Sequence, residues 1–298
     1  MNKRFGRYIV SITHPDKILL GTYTKSDLIT YYDAISASMV PYLKNHPLMM
    51  QRFPEGITGE SFYHKDMPDY FPEWIEGVTI QKKDGSYTAV VCQHKATLIY
   101  LANQGCITPH LWLSRMDKLS IPDRIIFDLD PSDKNFDKVR TIALALKKLL
   151  DSLGLTSFVM TSGSKGLHLY VPLTRSANFE VTKEFTRSCA QQIIREHPES
   201  ATLEIRKDKR HKKVFIDYLR NQEGATAVAP YSVRANKDAS VATPLYWHEV
   251  EDSSLHPQKY TIDNIFKRLE KIEDPWATFF KTKQTITAAH KRLTKMLT

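Results

Sequence analysis

Two aspartates spaced two apart, Asp128 and Asp130, close the apolar run Ile-Ile-Phe-Asp-Leu-Asp-Pro at residues 125–131. Along a strand, residues i and i+2 share a face, so the two carboxylates stand side by side. Like charges held together repel each other and cost stability unless a cation neutralises them. An all-oxygen pair suits Mg²⁺ or Mn²⁺, half-hydrated and shared with a phosphate, so the chemistry implied is phosphoryl transfer. Asp-x-Asp-Pro-Ser is also good loop-starting chemistry, and the spacing alone leaves a plain turn open.

The surrounding elements decide between the two. The sequence predicts a strand over 124–130 and a helix over 135–153, whose apolar residues Phe136, Val139, Ile142, Leu146, Leu149 and Leu153 recur near the helical period. Gly154 is a good stop. A strand over 157–161, a Gly/Ser turn over 162–166 and a strand over 167–172 come next, then a helix over 179–197 and a last strand over 214–219. This βαββαβ order is the ferredoxin-like, RRM-like pattern of an α/β (α+β) fold. In that topology the first and last strands are neighbours and the third flanks the first. Asp217 and His168 would therefore join Asp128 and Asp130 on one sheet face, which favours the metal. The turn Thr161-Ser162-Gly163-Ser164-Lys165-Gly166-Leu167-His168 offers hydroxyls, exposed N–H groups and positive charge, as a triphosphate needs. It is not a Walker A loop, which requires GxxxxGK[ST] leading into a helix. Arg220 and Arg234 are either salt-bridge partners of the carboxylates or clamps for phosphate oxygens.

The whole chain, 298 residues with 42% hydrophobic and 25% charged residues, has a globular composition. No run approaches a membrane span and no signal-peptide core follows the first residues, so a soluble, cytoplasmic, nucleoid-associated protein is expected. Cys92, Cys106 and Cys189 are scattered and lack CxxC spacing, which argues against zinc. The net charge of +9 points to a polyanionic partner. One basic cluster, Arg206 to Lys213, directly precedes the last core strand.

Phe-Asp-Leu-Asp-Pro, Ser-Gly-Ser-Lys-Gly-Leu-His and Ile-Asp-Tyr-Leu-Arg-Asn with Ala-Pro-Tyr-Ser-Val-Arg-Ala resemble the three motifs of the archaeo-eukaryotic primase superfamily. More narrowly, they resemble the polymerase domain of bacterial DNA ligase D, an end-joining enzyme. The resemblance extends upstream through His14-Pro15-Asp16-Lys17, Tyr23-Thr24-Lys25, Arg52-Phe53-Pro54-Glu55-Gly56 and Phe62-Tyr63-His64-Lys65. It implies one primase-polymerase unit over 1–298: an N-terminal DNA-end-binding module (1–120), the catalytic core (121–240) and a C-terminal extension packing on the core (241–298).

The resemblance assigns Asp128, Asp130 and Asp217 to two Mn²⁺ or Mg²⁺ ions. It gives Ser162, Lys165 and His168 to the triphosphate of an NTP or dNTP, with His110, Arg220 and Arg234 as further nucleotide contacts. Lys17 and Lys25 match a pair that binds the 5′-phosphate of a broken or gapped DNA end, and Phe62 and Tyr63 match aromatics that stack on the template. It further implies gap filling and end extension with a preference for ribonucleotides, alongside Ku and a DNA ligase and away from membranes. His14 departs from the family's usual asparagine, and Gln51 stands where a basic residue is frequent. Lys-Lys-Asp-Gly-Ser-Tyr at 82–87 is superficially like the ligase motif KxDGxR, but it ends in Tyr87 and is better taken as a hairpin turn. Two other functions compete: a metal-dependent nuclease, which needs no triphosphate site, and a catalytically silent DNA-end-binding module, which needs no aspartates.

Overall fold

The computed structural model describes residues 1–297. The chain divides into two compact units, the first comprising Met1–Asp117, Thr226–Ala242 and Thr261–Ile265, the second Lys118–Ala225, Thr243–Tyr260 and Phe266–Thr298. Residues 226–240, assigned by sequence to the catalytic core, thus group with the first unit. The reason is long-range pairing that no local pattern encodes. Thr226–Val228 adds a strand to the first unit's sheet, with Val228 opposite His110, and the Tyr31 hydroxyl donates to the Tyr231 carbonyl at 2.8 Å.

The first unit is built on a four-stranded sheet ordered Thr226–Val228, Cys106–Trp112, Leu48–Arg52, Phe62–His64. Its long helix, Lys25–Leu43, starts at a capping box in which Thr24 and Asp27 satisfy each other's backbone N–H groups. Leu28, Tyr32, Ile35 and Met39 form its buried stripe. Residues 82–87 form the expected hairpin turn, with Gly85 at φ 104° between Glu76–Lys82 and Gly85–Val91.

The second unit carries a six-stranded sheet ordered Ala201–Thr202, Val214–Asp217, Arg124–Asp130, Leu167–Pro172, Phe158–Thr161, Pro244–Leu245. The four inner strands appear in the order that the βαββαβ pattern requires. On one face Ile125, Phe127, Leu129, Leu169, Val171 and Ile216 are buried under the helices Phe136–Ser152 and Phe179–Glu196. Each such apolar side chain contributes roughly 1.5–3 kcal/mol. Strand alternation then sends Asp128, Asp130, His168, Tyr170 and Asp217 to the opposite face. Trp276 and Phe279 pack on Tyr170 there, with ring centroids at 5.2 and 6.5 Å, and cover the end of the face remote from Asp130.

Both helices begin where asparagines cap them, Asn135 accepting from the Asp137 N–H and Asn178 from the Val181 N–H. The last strand is shorter than expected and ends at Asp217 rather than residue 219. The Asp217 side chain accepts the Leu219 N–H at 2.9 Å and turns the chain into a short 3₁₀ helix, Leu219–Asn221. Cys92, Cys106 and Cys189 are buried and unbridged. Among the described residues no helix is long and apolar enough to cross a membrane.

Candidate active site

Sheet register brings the predicted carboxylates together. Asp128 lies directly opposite Asp217 on one neighbouring strand and His168 on the other, and Asp130 lies opposite Phe215. His168 Nε2 stands 3.2 Å from Asp128 Oδ1. The 3₁₀ turn swings Arg220 back so that its Nε is 3.2 Å from both Asp128 Oδ2 and Asp217 Oδ2. Arg220 is therefore an ion-pair partner of the carboxylates, the first of its two readings by sequence.

The charges are unevenly satisfied. Burial pushes Asp128 up, but His168 and Arg220 outweigh it and hold its carboxyl well below the usual range. Burial and the neighbouring Asp128 push Asp130 up to about 6. Burial also raises Asp217, with Arg220 opposing it and Asp128 reinforcing it. One arginine cannot neutralise three carboxylates, and the face carries excess negative charge.

That excess is the test of whether a metal suits the site. Among the described residues no set of three or more His, Cys, Asp or Glu side chains converges on a common metal position, and Arg220 sits against two of the three aspartates. The donor chemistry nonetheless fits a hard divalent cation, with three carboxylates and no sulfur on one face. The residues that would hold it are Asp128, Asp130 and Asp217.

The phosphate turn differs in detail from its expectation. Its Ser164, Lys165 and Gly166 N–H groups do not face outward but donate to the Ser162 Oγ, at 3.2, 3.1 and 3.0 Å. The turn is thus preformed around its own serine. What it presents outward is the exposed Lys165 side chain. The buried His168 Nδ1 has no hydrogen-bond partner among the described residues, so one polar ring atom beside the turn awaits a donor or acceptor.

Three positioning features escaped the sequence reading. Asn221, 1% exposed, donates to the Ile126 carbonyl at 2.7 Å and accepts the Ile126 N–H at 2.8 Å. Its amide thereby replaces a strand partner for the aspartate strand where the last strand has turned away. Gly166 packs so tightly that an added Cβ would meet the Leu129 carbonyl oxygen at 1.8 Å. Arg210, from the basic cluster, donates to the carbonyls of Glu204 and Ile205 and covers the Phe215 ring at 4.1 Å. A glycine beside a chemical turn and an amide just past a ligand strand were the available signals.

The remaining candidates belong to the first unit. Lys17 Nζ donates to the Pro54 carbonyl and pairs with Glu55 at 2.6 Å. Lys25 Nζ donates to the Thr13 carbonyl at 2.8 Å. Burial and then the charge of Lys17 lower Lys25, so the two ammonium groups share one electrostatic neighbourhood. His14 begins this loop at φ 47°, a left-handed conformation in which asparagine, aspartate and histidine are enriched among non-glycine residues.

Phe62 and Tyr63 are 51% and 59% exposed, but as adjacent strand residues they point to opposite faces. Phe62 lies opposite Arg52. The Tyr63 hydroxyl accepts from Gln51 at 3.1 Å, and its ring stands edge-on to His110 at 6.3 Å. The departure at Gln51 thus supports the aromatic beside it. His110 and Arg234 lie in the first unit, and their nucleotide role rests on the resemblance alone.

A split βαβ sheet with carboxylates on its first and last strands and a phosphate-type turn between its middle strands defines a nucleotidyltransferase of the primase-polymerase class. The chain belongs to the LigD primase-polymerase domain family, whose model matches residues 24–276, and the family's setting is non-homologous end joining. It is 38% identical over 279 residues to the bifunctional non-homologous end joining protein LigD of Bacillus subtilis, covering 92% of this chain and 45% of that protein. The multifunctional LigD of Mycolicibacterium smegmatis is 33% identical, covering 89% of this chain and 35% of that protein. The chain thus spans less than half the length of these relatives. A solved structure, the polymerase domain of Mycobacterium tuberculosis ligase D in complex with DNA, superimposes with a TM-score of 0.85 at 28% identity, over 91% of this chain and 97% of that one.

Proposed function

We propose that this protein adds nucleotides to a primer 3′-hydroxyl at gaps and double-strand break ends. The observation that carries this reading is that the strand register sets Asp128 opposite both Asp217 and His168, with Asp130 on the same sheet face. When bound there, two divalent cations, Mn²⁺ or Mg²⁺, supply the Lewis acidity that activates the hydroxyl and neutralises the departing pyrophosphate. The protein's own groups do the rest. Asp128, Asp130 and Asp217 fix the cation positions through a rigid strand pair. Lys165 and the Ser162 hydroxyl hold the triphosphate of an NTP or dNTP, and the His168 Nδ1 edge orients it. Arg220 balances the carboxylates in the absence of ligand, and its guanidinium fork is then available to phosphate oxygens.

In the first unit, Lys17 and Lys25 hold a 5′-phosphate as point charges, and Phe62 and Tyr63 stack on template bases. These contacts select an end rather than a sequence. Partners that follow are gapped duplex, broken DNA ends, Ku and a DNA ligase. The experiment is extension of a one-nucleotide gap with each nucleotide type and each metal, with and without a downstream 5′-phosphate. Metal-dependent addition stimulated by the phosphate supports the proposal; nucleotide-independent degradation of the primer contradicts it.

A further inference from the structure

A cleft of about 450 Å³ opens in the first unit between the turn of the Asn2–Phe5/Tyr8–Ser11 hairpin and the start of the Lys95–Asn103 helix. It is lined by Arg4, Arg7, Tyr8, Asp33, His94 and Lys95, among others. Neither Lys17 nor Lys25 lines it. Tyr8 is at the turn end of the hairpin, five residues before Thr13, whose carbonyl Lys25 grips. That stretch of chain spans roughly 17 Å when extended.

Three cations meet one carboxylate here. Asp33 pairs with Lys95 at 2.6 Å. Arg4 and Arg7 have no acidic partner among the described residues, and Arg7 instead donates to the Tyr8 hydroxyl and leans over its ring at 4.9 Å. The wall behind them is stiff. Tyr8, His94 and Trp74 form a three-ring cluster, with Tyr8 stacked on His94 at 4.3 Å and on Trp74 at 4.7 Å and the latter two 5.7 Å apart, and His94 is committed to capping the helix by accepting the Thr97 N–H. Burial and then the charge of Arg7 lower the His94 imidazole, with Glu76 opposing them. The first turn of the helix adds its own partial positive charge.

Fixed rings, two exposed guanidinium groups that no carboxylate neutralises among the described residues and a volume of nucleotide size match one ligand chemistry, a phosphate ester. We propose that this cleft is a second phosphate-binding site. It takes either a phosphodiester of the DNA backbone or the phosphates of a free nucleotide. It goes beyond the proposed catalytic function and stands whether or not the carboxylate face catalyses extension.

The test follows amide resonances of Gly6, Arg7, Lys95 and Ala96 during titration with inorganic phosphate, ATP or a 12-base-pair duplex, on the full chain without metal. Shifts with duplex only assign the site to the backbone; shifts with phosphate and ATP as well assign it to free nucleotides. In parallel, Arg4→Ala/Arg7→Ala and the charge reversal Arg7→Glu are compared with the parent in duplex binding across salt. Each lost phosphate contact lowers the salt slope by about 0.9, so the double variant should lose close to two units of slope and bind five- to tenfold more weakly at 100 mM salt. Both arginines are exposed, and the variants should keep the parent's melting temperature. No shift with any probe overturns the proposal, and so do shifts that persist undiminished in both variants.

Discussion

Asp128 and Asp217 face each other directly across an antiparallel strand pair, and a single side chain, Arg220, reaches both carboxylates at 3.2 Å. Like charges directly opposite destabilise a sheet. The pairing therefore stores a cost that Arg220 offsets only in part, and Asp130, two residues along, receives none of its short contacts.

Removing the charge of Asp130 should consequently stabilise the metal-free protein. A carboxyl raised to about 6 is less stable ionised in the folded than in the unfolded chain, so at pH 7.5 it costs the fold about 1–3 kcal/mol. Asp130→Asn should raise the melting temperature in chelator by a few degrees, while nucleotide addition is lost. A lower melting temperature would show that Asp130 is satisfied by contacts other than these.

Gly166 holds the phosphate turn against the Leu129 carbonyl, between the two aspartates. No side chain can yield there, because the obstructing atom is backbone. Gly166→Ala should cost more than about 3 kcal/mol and reduce extension together with stability. Thermal melting checks the first effect, and primer extension below the melting range checks the second.

Much of this site is legible in the sequence because its determinants are local. The helices over 136–152 and 179–196 follow their apolar period and their asparagine caps. Strand alternation and the split βαβ order together bring Asp217 and His168 to Asp128. What escapes is non-local or a choice between equal partners. Nothing near Thr226 says that it pairs with Trp112, and so returns the chain to the first unit. Nothing near Ser162 says whether its turn amides serve a ligand or its own hydroxyl. Nothing near Arg220 says that a 3₁₀ turn swings it onto both Asp128 and Asp217.

The Glu249–Arg268 pair gives a pH-dependent prediction. Arg268 contacts both oxygens of Glu249 and donates to the Pro244 carbonyl at 3.1 Å, bracing the edge strand. Burial raises Glu249, but the Arg268 hydrogen bonds prevail and lower it. A carboxyl with a depressed folded value contributes stability above its unfolded pKa, near 4.3, and loses it as pH falls through the folded one. Arg268→Met should cost on the order of 2 kcal/mol at pH 7. Denaturant midpoints for the two proteins should draw together below about pH 4.5.

Lys17→Ala with Lys25→Ala should erase the distinction between 5′-phosphorylated and unphosphorylated gaps. Lys17 is paired at the surface, whereas Lys25 is buried and bonded to Thr13, so Lys17→Ala alone serves as the folded control and should lose most of the preference. Competition binding between the two gapped duplexes measures it, and a retained preference in both variants would place the end-reading charge elsewhere.

The central claim is that Asp128 and Asp130 enable nucleotide transfer on this sheet face. Its most direct measurement is extension of a gapped duplex by the parent and by Asp128→Ala/Asp130→Ala, with Mn²⁺ and each nucleotide type, paired with duplex binding by both proteins. The expected result is metal-dependent addition by the parent, none by the double variant, and equal DNA affinity. Undiminished extension by the double variant would contradict the account.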